Sequence, residues 1–462
     1  MRYVIVGSGV AGIAAIEAIR RVDEQGEIWL IHEDPHGFYS RPGLAYYLTD
    51  EIPEEQLFPR SVDWQRLKVH RVWGRVTRLD PAQGRVEGLR YRLQKGFFEQ
   101  KVREESFSLL YDRLLLATGA QAVPLGVPGS ELQGVVKIDH LEDARQIRRL
   151  ARLARRAVVI GGGITSLELV EGLRAQGLKV HYLMRGARYW NNVLDEVESH
   201  IVEHRLEEEG VVLHHFAEVE EILGQKGRVV GVRLKDGNTI RCDLVAYAIG
   251  VRPRLELARE AGLKTDRGIL VDEFMQTSAP GIFAAGDVAQ VYDPKLGKAV
   301  LDSLWTPARE QGHSAGLNMA GFTQPHRRGL PFNVTRLAGI TTTIIGRIGQ
   351  GRDEDTVGIV RGDSETWREL PDAILAQSGF EINHLRLIVG ERTLLGAVVM
   401  GDQTLSFPLQ RLIAEEVDIR PIRDRLLAAN AALSEVIMDY WLTLTTTTAP
   451  SLARPVPKFS KA

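Results

Sequence analysis

One cysteine, Cys242, occurs in the 462 residues, so neither an internal disulfide nor a dithiol relay can be built from this chain. It stands in Arg241-Cys242-Asp243-Leu244-Val245-Ala246-Tyr247, patterned as a buried strand, where a cysteine behaves as a small hydrophobe rather than a reactive thiol. Long apolar runs are missing as well. Nothing approaches the roughly 18–20 consecutive apolar residues of a membrane span, and none is expected. Excess charge of either sign is absent, since 58 Lys and Arg face 60 Asp and Glu for a net charge of −2. That balance gives no global electrostatic reason to expect nucleic acid or an anionic membrane as partner. No residues have metal-ligand spacing, His214-His215 reads as strand surface, and no metal is expected. Met1-Arg2-Tyr3-Val4-Ile5-Val6-Gly7 starts a strand at once, with no room for an export signal, so the expected location is cytoplasmic.

What is there is a chain with 44% hydrophobic and 26% charged residues, long enough for roughly three domains. Residues 3–6, then Gly7-Ser8-Gly9-Val10-Ala11-Gly12, then 13–20 and 27–32 read as strand, glycine turn, helix and strand. Residues 157–160, then Gly161-Gly162-Gly163-Ile164-Thr165-Ser166, then 167–176 and 179–184 repeat that order. Segments at 114–117, 244–249 and 282–287 flank the second unit, so the first domain is interrupted and then resumes. The fold class is α/β: two Rossmann-like dinucleotide-binding domains, the second inserted in the first, plus a C-terminal α+β domain. The boundaries read 1–120 with 245–325 for the first, 121–244 for the second and 326–445 for the third. The third includes a strand-like stretch at 394–402 and a helix at 406–416. Residues 446–462, with four threonines ending at Thr448 and with Pro450, Pro455 and Pro457, have little to bury and read as a disordered tail.

In Gly7-x-Gly9-x-x-Gly12 the first glycine permits a tight turn, the second admits a pyrophosphate to the backbone, and the third lets helix pack on strand. The helix N-terminus offers free N–H groups and a positive dipole end. Glu33, at the end of the next strand, is placed to accept hydrogen bonds from ribose hydroxyls, its other reading being a solvated strand-end acid. In the second unit Gly161 and Gly163 hold the first two positions and Ser166 replaces the third glycine. The ribose acid is missing there, and Leu183-Met184-Arg185-Gly186-Ala187-Arg188 stands in its place. Arg185 and Arg188 suit a 2′-phosphate, which leans towards NADPH over NADH; both can also be read as ordinary surface charges.

Four separated signatures carry a family resemblance: residues 7–12; Tyr111-Asp112-Arg113-Leu114-Leu115-Leu116-Ala117-Thr118-Gly119-Ala120; Gly161-Gly162-Gly163 with Leu167-Glu168; and Ile249-Gly250-Val251-Arg252-Pro253 with Phe283-Ala284-Ala285-Gly286-Asp287. Over residues 1–325 the chain resembles the two-dinucleotide-fold flavoprotein reductases of the pyridine nucleotide-disulfide oxidoreductase superfamily. Within them it is similar to rubredoxin and ferredoxin reductases and to the flavoprotein module of NAD(P)H nitrite reductases. The resemblance implies FAD in the first fold and NAD(P)H in the second, with Thr118 and Gly119 in the FAD site. It also implies Asp287 at the ribityl chain and Glu168 as catalytic residue beside the flavin N5 and the nicotinamide. The alternative for Glu168 is a favourable charge in the first turns of a helix. Tyr39-Ser40-Arg41-Pro42-Gly43-Leu44 resembles the flavin-lining segment of members without a redox cysteine pair, with Arg41 and Pro42 near the ring; the lysine that follows it in some members is missing.

Thr306 and Pro307 read as N-cap and first position of a helix that leads into 308–319, aimed at the flavin pyrimidine by the resemblance, and Trp305 either stacks near the ring or anchors a domain interface. The implied activity is FAD-dependent transfer of hydride from NAD(P)H and delivery of electrons to an external acceptor, a small redox protein such as rubredoxin or ferredoxin. The alternatives are an NAD(P)H oxidase or nitrite reductase component acting on a small-molecule acceptor or a separate subunit, and a flavin-bound NAD(P)H sensor with little turnover. Homodimerisation through the third domain is implied by the resemblance alone. Arg145, Arg148, Arg149, Arg152, Arg155 and Arg156 form either a solvated helix face or a docking patch for an acidic carrier.

Overall fold

The apolar run from Tyr3 to Val6 is buried and forms strand Arg2–Val6, paired in parallel with Glu27–His32 on one side and Arg113–Leu116 on the other. Helix Val10–Val22 crosses between the first two and buries eight residues, among them Ala11, Ala15, Ile16 and Ile19. This computed structural model describes residues 1–95, 100–294, 296–349, 361–362, 364, 367, 372–380 and 383–447. The sheet runs Ile282–Ala284, Arg113–Leu116, Arg2–Val6, Glu27–His32 and Val69–Asp80, all parallel, and continues through antiparallel strands Arg85–Lys95 and Gln100–Leu110. Because Ile282–Ala284 follows the second glycine turn in the chain, the first fold is left and re-entered.

The second sheet is wholly parallel: Val212–His214, Lys179–Leu183, Arg156–Gly161, Leu244–Ala248 and Val135–Lys137. Strands covered on both faces read as continuous apolar runs, and Leu114, Leu115, Leu116, Val158 and Val159 are each at most 1% exposed. Cys242 lies just ahead of Leu244–Ala248 rather than within it, is buried, and has its thiol pushed up to about 12 by desolvation. Both folds belong to one compact unit, residues 1–191, 203–329 and 353–365.

Helix Trp305–Met319 completes the first fold. A Cβ at Gly312 would stand 2.1 Å from Ala11 O, and one at Gly316 2.4 Å from Ala15 O, so this helix meets Val10–Val22 backbone to backbone. Its N-cap is Leu304, not Thr306, and the helix begins two residues earlier than the sequence reading. Leu304 has the extended backbone of a cap (φ −109°, ψ 147°). Pro307 is tolerated inside the first turn because an N–H there has no intrahelical acceptor anyway.

A second compact unit comprises residues 192–202, 330–352 and 366–462. It holds an antiparallel sheet in the order Phe332–Leu337, Ile340–Gly346, Leu394–Met400, Asn383–Val389, Ile374–Phe380, with helices Ser406–Ala414, Arg420–Leu426 and Leu433–Thr447. The last helix takes in Thr446 and Thr447, which the sequence reading gave to the tail. Thr445 and Thr446 satisfy their hydroxyls on the carbonyls of Trp441 and Leu442, and Trp441 and Leu444 pack on the core. Residues 448–462 lie outside the described residues. In this unit Arg386 is 0% exposed and donates to Glu198 Oε1 at 2.8 Å and to the carbonyls of Ile348 and Val193 at 3.0 Å each. Asp195, Glu198 and His384 bring ligand-type atoms within 4.8 Å of one another, but Arg386 already supplies the cation there. No helix among the described residues is long and apolar enough to cross a membrane.

Candidate functional site

Both glycine turns fall at the C-terminal ends of parallel strands, where ligands of open α/β sheets bind. Gly7 has φ +115°, and a Cβ on it would stand 2.1 Å from Ala117 O; one on Gly12 would stand 2.1 Å from Gly7 O. These two glycines close the turn. Gly9 differs: nothing lies within 4 Å of its Cβ position, and as N-cap of Val10–Val22 it puts no side chain on the helix. The first-turn N–H groups therefore face open space of the kind a pyrophosphate needs. Gly119 (φ +68°) opens onto similar space. Beside it Thr118 Oγ1 donates to Arg254 O at 3.4 Å, and Arg254 N to Gly119 O at 3.0 Å. Glu33, exposed at its strand end, accepts from Arg254 Nη1 at 3.4 Å. The cradle offers what a dinucleotide such as FAD needs: open backbone at a helix N-terminus and a carboxylate at the next strand's end.

The second turn repeats the geometry with one change. Gly161 (φ +151°) closes against Ala248 O, Gly162 is open, and Gly163 caps helix Ile164–Ala175. Ser166 is fully buried; its hydroxyl accepts from Gly163 N at 3.1 Å, donates to Gly163 O at 2.7 Å and meets Tyr182 OH at 2.8 Å. It braces the turn from the inside. After strand Lys179–Leu183, Arg185 is exposed and Arg188 half-buried, with Arg188 Nε lacking a hydrogen-bond partner among the described residues.

Glu168 lies one turn into the second helix. It keeps some accessible surface, yet desolvation pushes its carboxyl up to about 8, Glu171 adding to the effect and Arg361 opposing it. Asp287, just beyond strand Ile282–Ala284, is likewise raised by burial against the pull of Arg361. Asp139 behaves in the opposite way. Burial works against its charge, but Arg361, His140, Arg41 and Lys137 together hold it well below the usual carboxylate range. Arg361 pairs with its Oδ1, Lys137 Nζ lies at 3.7 Å, His140 Nε2 at 3.6 Å, and Arg41 donates to its carbonyl at 3.0 Å. Pro42 is exposed ahead of helix Gly43–Leu48. Trp305 is 36% exposed and stacks on Phe38 at 6.2 Å, with Thr306 behind it in the first helical turn.

Asp139, Arg254 and Arg361 were not found from the sequence. Asp139 follows edge strand Val135–Lys137 at its C-terminal end, a positional signal that would have found it; Arg254 and Arg361 belong to no motif. The arginine-rich segment resolves into parts. Arg145 pairs with Glu54 and Glu142, and Arg148 with Asp50 over the ring of Tyr47. Arg149, Arg152, Arg155 and Arg156 are exposed. Arg156 opens the strand whose far end carries Gly161, roughly 17 Å away at ~3.3 Å per residue, so that face is remote from the cradle.

A family model described as pyridine nucleotide-disulphide oxidoreductase matches residues 1–312. The chain belongs to that family. Members are FAD- and NAD(P)H-dependent oxidoreductases. The chain is 29% identical to an assimilatory nitrate reductase electron transfer subunit of Bacillus subtilis, over 78% of this chain and 44% of that one. It is 32% identical to the ferredoxin–NAD(+) reductase component of a biphenyl dioxygenase system of Paraburkholderia xenovorans, over 84% and 87%. A crystal structure of the covalent putidaredoxin reductase–putidaredoxin complex superposes with a TM-score of 0.79 at 25% identity, covering 95% of this chain and 98% of that one. The chain spans about half the length of the Bacillus subtilis relatives that it matches.

Proposed function

We propose that this protein is an FAD-dependent NAD(P)H oxidoreductase that passes electrons to an external iron-sulfur carrier of the rubredoxin or ferredoxin kind. The observation that carries the reading is two open glycine cradles, at Gly9 and Gly162, with half-buried Glu168 on the helix after the second and half-buried Asp287 just beyond parallel strand Ile282–Ala284. When bound, FAD supplies a two-electron acceptor for nicotinamide hydride and a donor of single electrons. Gly7, Gly9 and Gly12 hold its pyrophosphate, Glu33 its ribose, Asp287 the ribityl chain. Thr118, Gly119, Arg41, Pro42, Trp305 and Thr306 border the rest. Gly161, Gly163 and Ser166 shape the nicotinamide nucleotide's turn, and Arg185 and Arg188 receive a 2′-phosphate, which favours NADPH. Glu168, largely neutral at pH 7, places no net charge beside the hydride path and holds a proton at its carboxyl.

With the only cysteine buried and its thiol held protonated, electrons leave without a thiol relay. Likeness to a dioxygenase ferredoxin reductase and to a reductase crystallised with putidaredoxin supports an iron-sulfur carrier. The likeness to a nitrate reductase electron transfer subunit favours a second reading, a flavoprotein component serving a separate reductase. Steady-state NADPH and NADH oxidation with ferredoxin, rubredoxin, nitrite plus a reductase subunit, or oxygen as acceptor separates them. Turnover at least tenfold faster with an iron-sulfur carrier than with oxygen is expected; oxygen as the best acceptor would replace the carrier reading with an oxidase.

A further inference from the structure

We propose that Arg361, supplied by chain that follows both dinucleotide folds in sequence, is a working cation of the flavin–nicotinamide crevice that stabilises the negative charge building up there on reduction. The inference rests on the functional reading above and adds a residue to it. Three contacts place Arg361. Its guanidinium pairs with Asp139 Oδ1 and reaches Asp139 O at 3.5 Å. The next residue is tied to the segment entering helix Trp305–Met319, Gly362 N donating to Ser303 O at 2.9 Å. Ser364 then bridges to Asp302, which Arg328 grips at 2.8 Å through both carboxylate oxygens. On the other side, a Cβ on Gly362 would stand 3.3 Å from Ile164 Cδ1. Ile164 and Glu168 are four residues apart on one helix and share a face. Arg361 and Gly362 therefore lie between the start of the helix that holds Glu168 and the loop before the helix that begins at Trp305.

Arg361 is the nearest of the cations around Asp139, and Arg41 and Lys137 each stand 3.7 Å from the same carboxylate, so positive charge there exceeds what that one carboxylate balances. Arg361 also carries charge toward the helix that holds Glu168, with Gly362 beside Ile164, and it acts on Glu168 and Asp287 as well as on Asp139. A cation fixed before reaction opposes developing negative charge without reorganisation, the arrangement that makes preorganised electrostatics effective.

The test is spectroelectrochemical measurement of the two-electron flavin potential in the flavin-loaded full chain for wild type, Arg361→Gln and Arg361→Lys. Loss of the cation should weaken the preference for reduced flavin about tenfold, which is a negative shift of about 30 mV for a two-electron couple. The lysine variant should recover most of it. An unchanged potential in Arg361→Gln would overturn the inference. If that variant does not hold flavin, Gly362→Ala replaces it: a side chain at φ +81° strains the backbone next to Arg361 while keeping the charge, a negative shift supports the role and none refutes it. Failure of the wild type to bind FAD or to be reduced would sink the functional reading itself, a different outcome from an Arg361 variant with wild-type potential.

Discussion

Replacing Glu168 by Gln should remove a pH dependence of stability that the wild type carries. The carboxyl has an ordinary value of 4.5 and a folded value of about 8, raised by desolvation and then by Glu171. Between those values the unfolded chain has lost the proton and the folded chain retains it. Glu168 therefore contributes stability fully present below the unfolded value and lost as pH rises through the folded one. At about 1.4 kcal/mol per pKa unit the ceiling is near ~5 kcal/mol. Glu168 keeps part of its surface accessible, so solvent screening reduces the expected loss to roughly half of that ceiling. Thermal unfolding at about pH 5 and about pH 9 should show the wild-type Tm falling by roughly 5 °C more than that of Glu168→Gln, at ~2–4 °C per kcal/mol. The same carboxyl should give the rate of flavin reduction a midpoint near pH 8 that the Gln variant lacks. Parallel Tm curves for the two proteins, with no difference in the rate profile, would refute the enclosed-carboxyl reasoning.

Gly7→Ala should cost roughly 1–3 kcal/mol through strain at its positive φ and the collision with Ala117 O, and should purify without flavin; a full flavin-to-protein absorbance ratio would contradict the closed turn. Arg386→Ala should destabilise the protein by about 3–5 kcal/mol, because it leaves Glu198 charged and buried without its partner; urea denaturation reads this, and a loss under ~1 kcal/mol would mean that the charge is satisfied elsewhere. Arg185→Ala with Arg188→Ala should raise KM for NADPH about tenfold or more, the equivalent of ~1.4 kcal/mol, and leave that for NADH within about twofold. An equal rise for both nucleotides would assign the arginines to general binding or to structure.

Much of this architecture is legible in the sequence because the glycine turns are backbone requirements. Gly7, Gly12 and Gly161 stand where a Cβ would strike a neighbouring carbonyl, so the spacing records the geometry directly. The parallel strands are legible for a related reason: burial on both faces leaves unbroken apolar runs such as residues 114–116. What was missed is non-local. Asp139 looks like any acid after a short strand with Lys137 and His140 beside it in sequence, and only the folded chain brings Arg41 and Arg361 to it. Arg254 meets Glu33 across 221 residues of chain. Thr306 and Pro307 carry local cap chemistry, yet the cap moved to Leu304 because the extended backbone there decides where the helix starts. The threonine run ending the last helix reads as tail by composition and is helical as far as Thr447, where an apolar stripe packs and hydroxyls bond back to the preceding turn.

Anaerobic stopped-flow mixing of the purified protein with NADPH and with NADH, followed by reoxidation with a ferredoxin or rubredoxin, tests the central claim most directly. The account predicts an FAD-loaded yellow protein that NADPH bleaches faster than NADH and that an iron-sulfur carrier reoxidises within the turnover time. A protein that binds no flavin, or a bound flavin that neither nucleotide reduces, would contradict it.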